Sequence, residues 1–484
     1  MTMRWLGRAL ALIGFLMVLQ SLAWMSRVPP MGTSPSRLAS GEEAVTAIPS
    51  PALPAAPPPT PTPSPMPTAT PTPVPPTPTP TPGLPARWAL TPTPPPAPVG
   101  VPEGAPPPRP LLSFPPGRVN LLLLGSDRQP GERVGRTDTI ILISVDPEGP
   151  SARLLSIPRD LWVYIPGWQF HKINTAYPHG ELSGYPGGGY GLLRDTLRYN
   201  LGIATHGYAL VDFQGMRAII DALGGVDVLV RCPLYDVFPD PDDPTITGTL
   251  NLPAPGYYHL DGKQALWYMR SRYSTGDADR ARRQQQVLEG MLDRLKEGGW
   301  LSRAPALWSV LRQTVQTDLG LDEVLWLASL GLRMDRSRIA RGSLHPVVAS
   351  ARITTTSENE LFIYLPTEQT YAYLERFLLG PLPSQASPLT RVELINASGN
   401  ALYAGMAVEI LREAGFGVVR TAEVEPDGRP SRVLALHPES SAGAVQSLLR
   451  ALHLPASRLE SAPEPGAEVA YRIWLGADFN PCGR

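Results

Sequence analysis

Val119-Asn120-Leu121-Leu122-Leu123-Leu124-Gly125-Ser126-Asp127 decides how the rest of the chain is read. Uncharged apolar residues running into a glycine, a serine and a carboxylate read as a buried strand that delivers an acidic side chain to the loop at its end. Two further apolar runs, 139–145 and 152–157, read as strands in the same way. Asp138 stands just before the first of these and Arg159-Asp160 just after the second. Three apolar strands therefore carry charge at their edges, where loops build sites.

Working outward, residues 189–200 have helical spacing, 208–211 form a short strand, and 213–223 form a helix stopped by Gly224-Gly225 before a strand at 226–230. Residues 232–255, rich in Pro and Asp, read as a long loop that precedes helices at 260–268 and 280–296. Helices, short strands and loops continue to residue 379. Strands alternating with helices predict an α/β fold, a three-layer α/β/α sandwich over 111–380. A Pro-rich break at 381–389 separates it from a small α/β domain at 390–484. That domain shows strands at 392–395, 417–420, 433–436 and 469–475 and helices at 401–414 and 442–452. It has no cluster of titratable residues that would mark it as catalytic and is read as a binding or packing domain.

The N-terminal region differs in character. After Arg4 and Arg8, residues 9–25 carry no charge and approach the ~20 residues that span a hydrocarbon core as a helix. A cleavable signal peptide is the rival reading, because Ser21-Leu22-Ala23 resembles a small-x-small cleavage site. The apolar run is long for a signal-peptide core, which favours a retained signal-anchor. Residues 1–8 then form a short cytoplasmic tail and 26–48 a juxtamembrane segment. Residues 49–110 are a Pro/Thr-rich linker in which 27 of the 59 prolines lie within 51–110. Proline fixes φ and removes donors, so a disordered spacer of polyproline II character is expected there. The expected arrangement is a single-pass membrane protein with its N-terminus inside and its folded domains extracytoplasmic.

With 42 basic and 43 acidic residues the net charge is -1, so no global field draws the chain to nucleic acid. Any affinity for phosphate must be local. Lys172, Lys263 and Lys296 are the only lysines, and an Arg bias of that kind reads first as genome composition. Position, not number, therefore carries the argument. Cys232 and Cys482 exclude a disulfide-framed mini-domain and a four-thiolate zinc site. In an oxidising compartment they could form one bridge, and they could as easily be unpaired; the sequence leaves both readings open.

Asp127 and Asp138, then Arg159-Asp160, then Arg270, Arg272, Arg280 and Arg283 with Gln284 have the make-up of a site for a polyphosphate and its metal. Two carboxylates are the usual protein share of a Mg²⁺ shell, which otherwise takes water and phosphate oxygens. Planar guanidinium groups clamp the remaining phosphate oxygens two at a time. Singly, Asp138 between two threonines could cap a turn and Arg159-Asp160 could be a surface ion pair. Those readings do not explain why all three positions stand at strand edges. The glycines at 187–189 and 191 lack Gly-x-Gly-x-x-Gly spacing and follow no strand directly, so they read as a tight turn. The histidines show no metal-ligand spacing, and there is no Gly-x-Ser-x-Gly elbow.

Seven motifs occur in order: residues 120–127, Gly135-Arg136-Thr137-Asp138-Thr139, Ser156-Ile157-Pro158-Arg159-Asp160, residues 171–177, 221–226 and 260–266, and Arg270-Ser271-Arg272 followed by Asp277, Arg280 and Arg283-Gln284. Over residues 115–380 this series resembles the LytR-CpsA-Psr family of cell-wall glycopolymer transferases. Residues 390–478, with Asn396-Ala397-Ser398-Gly399 early and Leu475-Gly476-Ala477-Asp478 at the end, are similar to the C-terminal domain that often accompanies it.

The resemblance implies that Asp127 and Asp138 hold Mg²⁺, with Mn²⁺ as the alternative, against the pyrophosphate of a polyprenyl-pyrophosphoryl glycan. It implies that Arg136, Arg159, Arg272 and Arg280 contact the phosphates with Gln284 alongside, that Arg270 supports them, that Asp277 orients an arginine with Arg283 in a supporting place, and that an apolar channel between sheet and helices takes the prenyl tail. The implied reaction moves the glycan phosphate to a hydroxyl of peptidoglycan, leaving a phosphodiester. Asp127 and Asp160 are both candidates for taking the acceptor's proton. Two other classes stay open: a pyrophosphatase acting on the same donor with water, and a non-enzymatic wall-binding or regulatory membrane protein.

Overall fold

The computed structural model describes residues 83–85, 87–88, 105–128, 131–240, 245–272, 276–297, 304–354, 360–382, 390–437 and 442–482. The anchor expected at 9–25, its flanks and the linker up to residue 82 lie outside the described residues. Among the described residues no helix is long and apolar enough to cross a membrane.

β1 (Val119–Ser126), β2 (Thr137–Asp146) and β3 (Ser151–Ser156) pair antiparallel in succession. A small hairpin of β4 (Trp162–Tyr164) and β5 (Phe170–Lys172) leads to α1 (Ala176–Ser183) and α2 (Gly188–Leu201). β6 (Gly207–Asp212) returns parallel to β1, and α3 (Phe213–Leu223) ends at Gly224 in the left-handed conformation, φ 80°. Next come β7 (Val226–Val230), β8 (Leu234–Pro239), β9 (Thr247–Leu252), β10 (Gly256–Leu260), α4 (Gly262–Arg270) and α5 (Asp277–Lys296). α6 (Ala304–Thr314), β11 (Val315–Thr317), α7 (Leu321–Arg333), β12 (Ile339–Ser343), β13 (Val348–Thr354), β14 (Glu360–Pro366) and α8 (Glu368–Leu379) complete the larger domain. The central sheet runs β11-β6-β1-β2-β3-β12.

Successive side chains on a strand point to opposite faces, and this alternation builds the layers. Leu122 and Leu124 of β1 with Ile140 and Leu142 of β2 pack against Leu192, Leu193 and Leu197 of α2 and Leu374 and Leu378 of α8. Leu121, Ile141 and Val145 pack on the other face against Trp326 and Leu330 of α7, with Leu288 and Leu292 of α5 beside them. Both faces are covered, as a three-layer α/β/α sandwich requires. Each leucine so buried contributes roughly 2 kcal/mol.

Two expectations are corrected. Residues 232–255 are not a loop throughout: β8 and β9 form an antiparallel hairpin, with Leu234 paired to Leu252 and Pro239 to Thr247. Prolines are frequent in this stretch of sequence, while in β8 Leu234 and Asp236 point inward and Tyr235 and Val237 outward. The linker also does not stay a free spacer as far as residue 110. Trp88 is buried edge-on against Trp326 at 5.4 Å, and Arg87 pairs with Asp318 at 2.5 Å. Arg109 lies 3.5 Å over the Tyr371 ring and 3.0 Å from Glu368. Aromatic and arginine residues within the proline run give it something to bury, which proline and threonine alone do not.

In the smaller domain, β15 (Arg391–Asn396), α9 (Leu402–Glu413), β16 (Gly417–Glu423), β17 (Arg432–Ala435), α10 (Ala442–Ala451), β18 (Leu459–Ser461) and β19 (Tyr471–Leu475) form a sheet in the order β16-β15-β19-β17-β18 with its own core. The open question about the cysteines is resolved by a disulfide between Cys232 and Cys482, which ties the end of this domain to the larger one.

Candidate active site

β1 and β2 do not pair evenly. Gly125 faces Thr139, but Ser126 faces Thr137, so Asp138 is the extra residue of a β-bulge. A bulge re-aims a side chain, and here Asp138 comes to line the same cavity as Asp127. Asp127 also closes the connecting loop: its N–H donates to the Arg136 carbonyl at 3.1 Å, and its Oδ1 accepts from the Arg136 N–H at 2.6 Å. Asp138 Oδ2 takes an ion pair from Arg159, and Oδ1 accepts from Asn174 Nδ2 at 3.1 Å. Burial, and then the charge of Asp138, push the Asp127 carboxyl up. Two carboxylates that repel one another across a cavity fit a divalent cation of the Mg²⁺ type, which needs few protein ligands. Among the described residues no group of three or more His, Cys, Asp or Glu gathers as a fuller cage.

The cavity is ≈ 840 Å³, and Arg136, Arg270, Arg272 and Arg280 line it together with the two aspartates. α5 brings Arg280 and Gln284 one turn apart on one side. Arg280 is buried, with Asp277 at 3.5 Å, and Asp277 is also 3.8 Å from Arg272, so one carboxylate stands between two guanidinium groups. The Nε of Arg280 has no partner among the described residues. Burial lowers its pKa to about 10, with Asp277 opposing and Arg272 and Arg159 adding to the fall. A buried, still protonated guanidinium crowded by its own kind is a place for an anion. Gln284 Nε2 donates to Thr139 Oγ1 at 3.0 Å and ties α5 to the bulge. Arg270 lies over the rings of Phe213 at 4.6 Å and Phe238 at 5.7 Å, a cation–π clamp.

Not every expected residue reaches this wall. Arg283 is 2% exposed; its Nε donates to the Tyr268 carbonyl at 3.0 Å and its guanidinium also to the Ser271 carbonyl, so it staples the turn that carries Arg270 and Arg272. Asp160 is buried, accepts from Lys172 Nζ at 2.6 Å and lies 3.4 Å from Arg159 Nε. Neither Asp160 nor Arg159 lines the cavity; Arg159 backs Asp138, and Asp160 backs Arg159. Asp236, by contrast, had no place in the sequence reading. It is 2% exposed and accepts from the Ser271 hydroxyl and, at 3.2 Å, from the Arg272 N–H, which sets the Arg272 backbone. Its signal was the in-out alternation of 234–237 inside a stretch read as a loop.

Beside the polar cavity an apolar pocket of ≈ 60 Å³ lies between β1 and β2 and helices α3, α4 and α5, lined by Leu124, Ile141, Met216, Leu266 and Leu288. It shares Thr139, Phe213, Met269, Arg270 and Gln284 with the cavity. By volume it has room for a few water molecules.

The model of the LytR_cpsA_psr family matches residues 113–369, over half of the 484-residue chain. The chain belongs to the LytR-CpsA-Psr family. A second model, described as LytR cell envelope-related transcriptional attenuator, matches residues 389–479 of the smaller domain. Similar LytR-CpsA-Psr relatives include the polyisoprenyl-teichoic acid–peptidoglycan teichoic acid transferase TagU of Oceanobacillus iheyensis, 38% identical over 208 residues that make up 43% of this chain and 60% of the relative. The regulatory protein MsrR of Staphylococcus aureus is 34% identical over 206 residues, 42% of this chain and 57% of MsrR. The match thus spans 57% to 60% of the length of these relatives. Among solved structures, B. subtilis TagV aligns with a TM-score of 0.43 and 25% identity, over 54% of this chain and 95% of TagV.

Proposed function

We propose that this chain is a membrane-anchored, extracytoplasmic transferase that moves a glycan phosphate from a polyprenyl-pyrophosphate carrier to a hydroxyl of peptidoglycan. One observation carries the reading: a polar cavity sets Asp127 and Asp138 among Arg136, Arg270, Arg272 and Arg280 and shares its wall with an apolar pocket. A pyrophosphate with lipid on one side and glycan on the other calls for both environments. The name of the O. iheyensis relative, a teichoic acid transferase, supports the substrate class. The Cys232–Cys482 bridge supports an oxidising location outside the cytoplasm.

Asp127 and Asp138 would hold Mg²⁺, or Mn²⁺, which when bound neutralises the pyrophosphate and the leaving group. Arg272 and Arg280, oriented by Asp277, bind the equatorial phosphate oxygens, and the free Nε of Arg280 is one of the donors. Arg136, exposed at the loop, meets the outer phosphate, while Arg270 and Gln284 guard the lipid side. Arg159 fixes Asp138, and Asp160 with Lys172 fixes Arg159. The acceptor oxygen then bonds to the phosphorus next to the glycan, the bond from that phosphorus to the bridging oxygen breaks, and polyprenyl phosphate departs with the electron pair. Of the two carboxylates considered for the acceptor's proton, Asp127 lines the cavity and Asp160 does not.

The test incubates the chain with a polyprenyl-pyrophosphoryl glycan, Mg²⁺ and peptidoglycan fragments and follows polyprenyl phosphate. Acceptor-dependent release that Asp138→Ala abolishes is the expected result. Release indifferent to acceptor would make the protein a pyrophosphatase, and no release would favour a regulatory or wall-binding role.

A further inference from the structure

The helix that carries Arg280 and Gln284 also carries Arg282 and Glu289, about 170° round its axis at 100° per residue. That second side faces the smaller domain. Glu289 lies 3.5 Å from Arg341 and 3.6 Å from Arg412. Arg341 of β12, with its side chain 2% exposed, is 3.0 Å from Glu413 and ion-paired to Glu409. Arg231, at the end of β7, grips Glu413 with two hydrogen bonds of 2.8 and 2.9 Å, and Arg282, paired to Asp279 at 3.4 Å, lines the same cavity as that carboxylate. α9 thus lowers Glu409, Arg412 and Glu413, successive residues of one face, between β7, β12 and α5. A cavity of ≈ 460 Å³ remains in the seam beside Arg231, Arg282, Glu413 and the disulfide, so charge rather than continuous apolar packing carries this part of the contact.

We infer that the smaller domain is a brace for the helix of the active site, with Glu409 and Glu413 as positioning residues that set Arg280 and Gln284 for the pyrophosphate. Three consecutive residues of α5 give the route. Arg282 lines the seam cavity together with Glu413, Arg283 staples the turn bearing Arg270 and Arg272, and Gln284 bonds to the bulge that bears Asp138. Without the carboxylates of α9, Arg231 and Arg341 would share the seam beside Arg282 with Glu289 as the nearest buried anion. Buried like charges separate, and α5 is the element that moves with Arg282. The inference rests on the proposed reading of the cavity as a pyrophosphate site.

Full-length Glu413→Gln and Glu409→Gln chains, and the double variant Cys232→Ser/Cys482→Ser, would be compared with the unaltered protein at 25 °C, below their melting temperatures. The readouts are geranylgeranyl pyrophosphate binding with and without Mg²⁺, kcat and KM for transfer, and hydrogen exchange across residues 277–287. The Glu variants are expected to weaken binding and lower kcat by about three- to thirtyfold each, with faster exchange along α5. The cysteine variant, which keeps the charges, is expected to melt earlier yet bind as before. A lower melting temperature with unchanged binding, kcat and exchange in both Glu variants would overturn the brace. If the unaltered chain binds the pyrophosphate but transfers nothing, the transferase reading fails while binding and exchange still decide the brace. If it does not bind, the pyrophosphate site and the positioning role fall together.

Discussion

Gly125 and Thr139 face one another across β1 and β2 with no space for a side chain between them: a Cβ on Gly125 would stand 2.9 Å from the Thr139 Cβ. The contact sits at the register shift that makes Asp138 the bulged residue. Gly125→Val should therefore push Thr139 away, free Gln284 and re-aim Asp138. We expect kcat/KM for transfer to fall about 100-fold, since a misplacement near 1 Å has that effect, while the circular dichroism spectrum stays that of the folded chain. An active Gly125→Val enzyme would show that the bulge is not what aims Asp138.

Arg280 separates charge from shape. Arg280→Lys keeps a cation but loses the planar fork, and Arg280→Ala loses both. Losses of about tenfold and of 100- to 1,000-fold in kcat/KM are expected, in line with removing one preorganised donor. Steady-state kinetics on the two variants checks the order; equal losses would assign Arg280 a purely geometric role.

The apolar pocket is narrow, and Met216 stands on its wall. Met216→Trp should fill it and weaken binding of a long prenyl pyrophosphate by about tenfold or more, as overpacking of 1–3 kcal/mol implies. Inorganic pyrophosphate should bind as before. Calorimetric titration of both ligands distinguishes this from general damage to the site.

Burial alone would raise the Glu413 carboxyl, but Arg231, Arg341 and Arg282 overcome it and bring it down to about 2. The folded carboxyl thus lies below its ordinary value of 4.5, so its stabilisation is present above pH 4.5 and fades as pH falls toward 2. Glu289 works in the opposite sense, because there burial outweighs the same kind of arginine partners. The stability difference between the unaltered chain and Glu413→Gln, from denaturant titrations across this range, should therefore shrink on acidification. At neutral pH, Arg341→Ala should cost about 3–5 kcal/mol by removing the buried cation that Glu289, Glu409 and Glu413 share.

Trp88, inside the proline-rich segment, is fixed to α7 through Trp326. Trp88→Ala should release it, with a loss of about 3 kcal/mol of local packing. Limited proteolysis is expected to cut at residues 87–88 faster in the variant than in the unaltered protein.

The strands 119–124, 139–145 and 152–157, the helix stop at Gly224 and the strand-helix alternation of both domains were legible in the sequence, because apolar periodicity and glycine conformation are local properties. So were the charged residues at the strand edges, and family resemblance added Arg136 and Asp277. The β8–β9 hairpin was hidden by its prolines, and with it Asp236, whose burial depends on a partner strand fifteen or so residues away. Tertiary structure alone decided that Arg159 and Asp160 stand behind the cavity without lining it, that Cys232 meets Cys482, and that Glu409 and Glu413 find Arg231 and Arg341. A sequence displays a charge at a position; whether that charge faces substrate or another buried charge depends on which distant surfaces close around it, and that is settled only when the two domains pack.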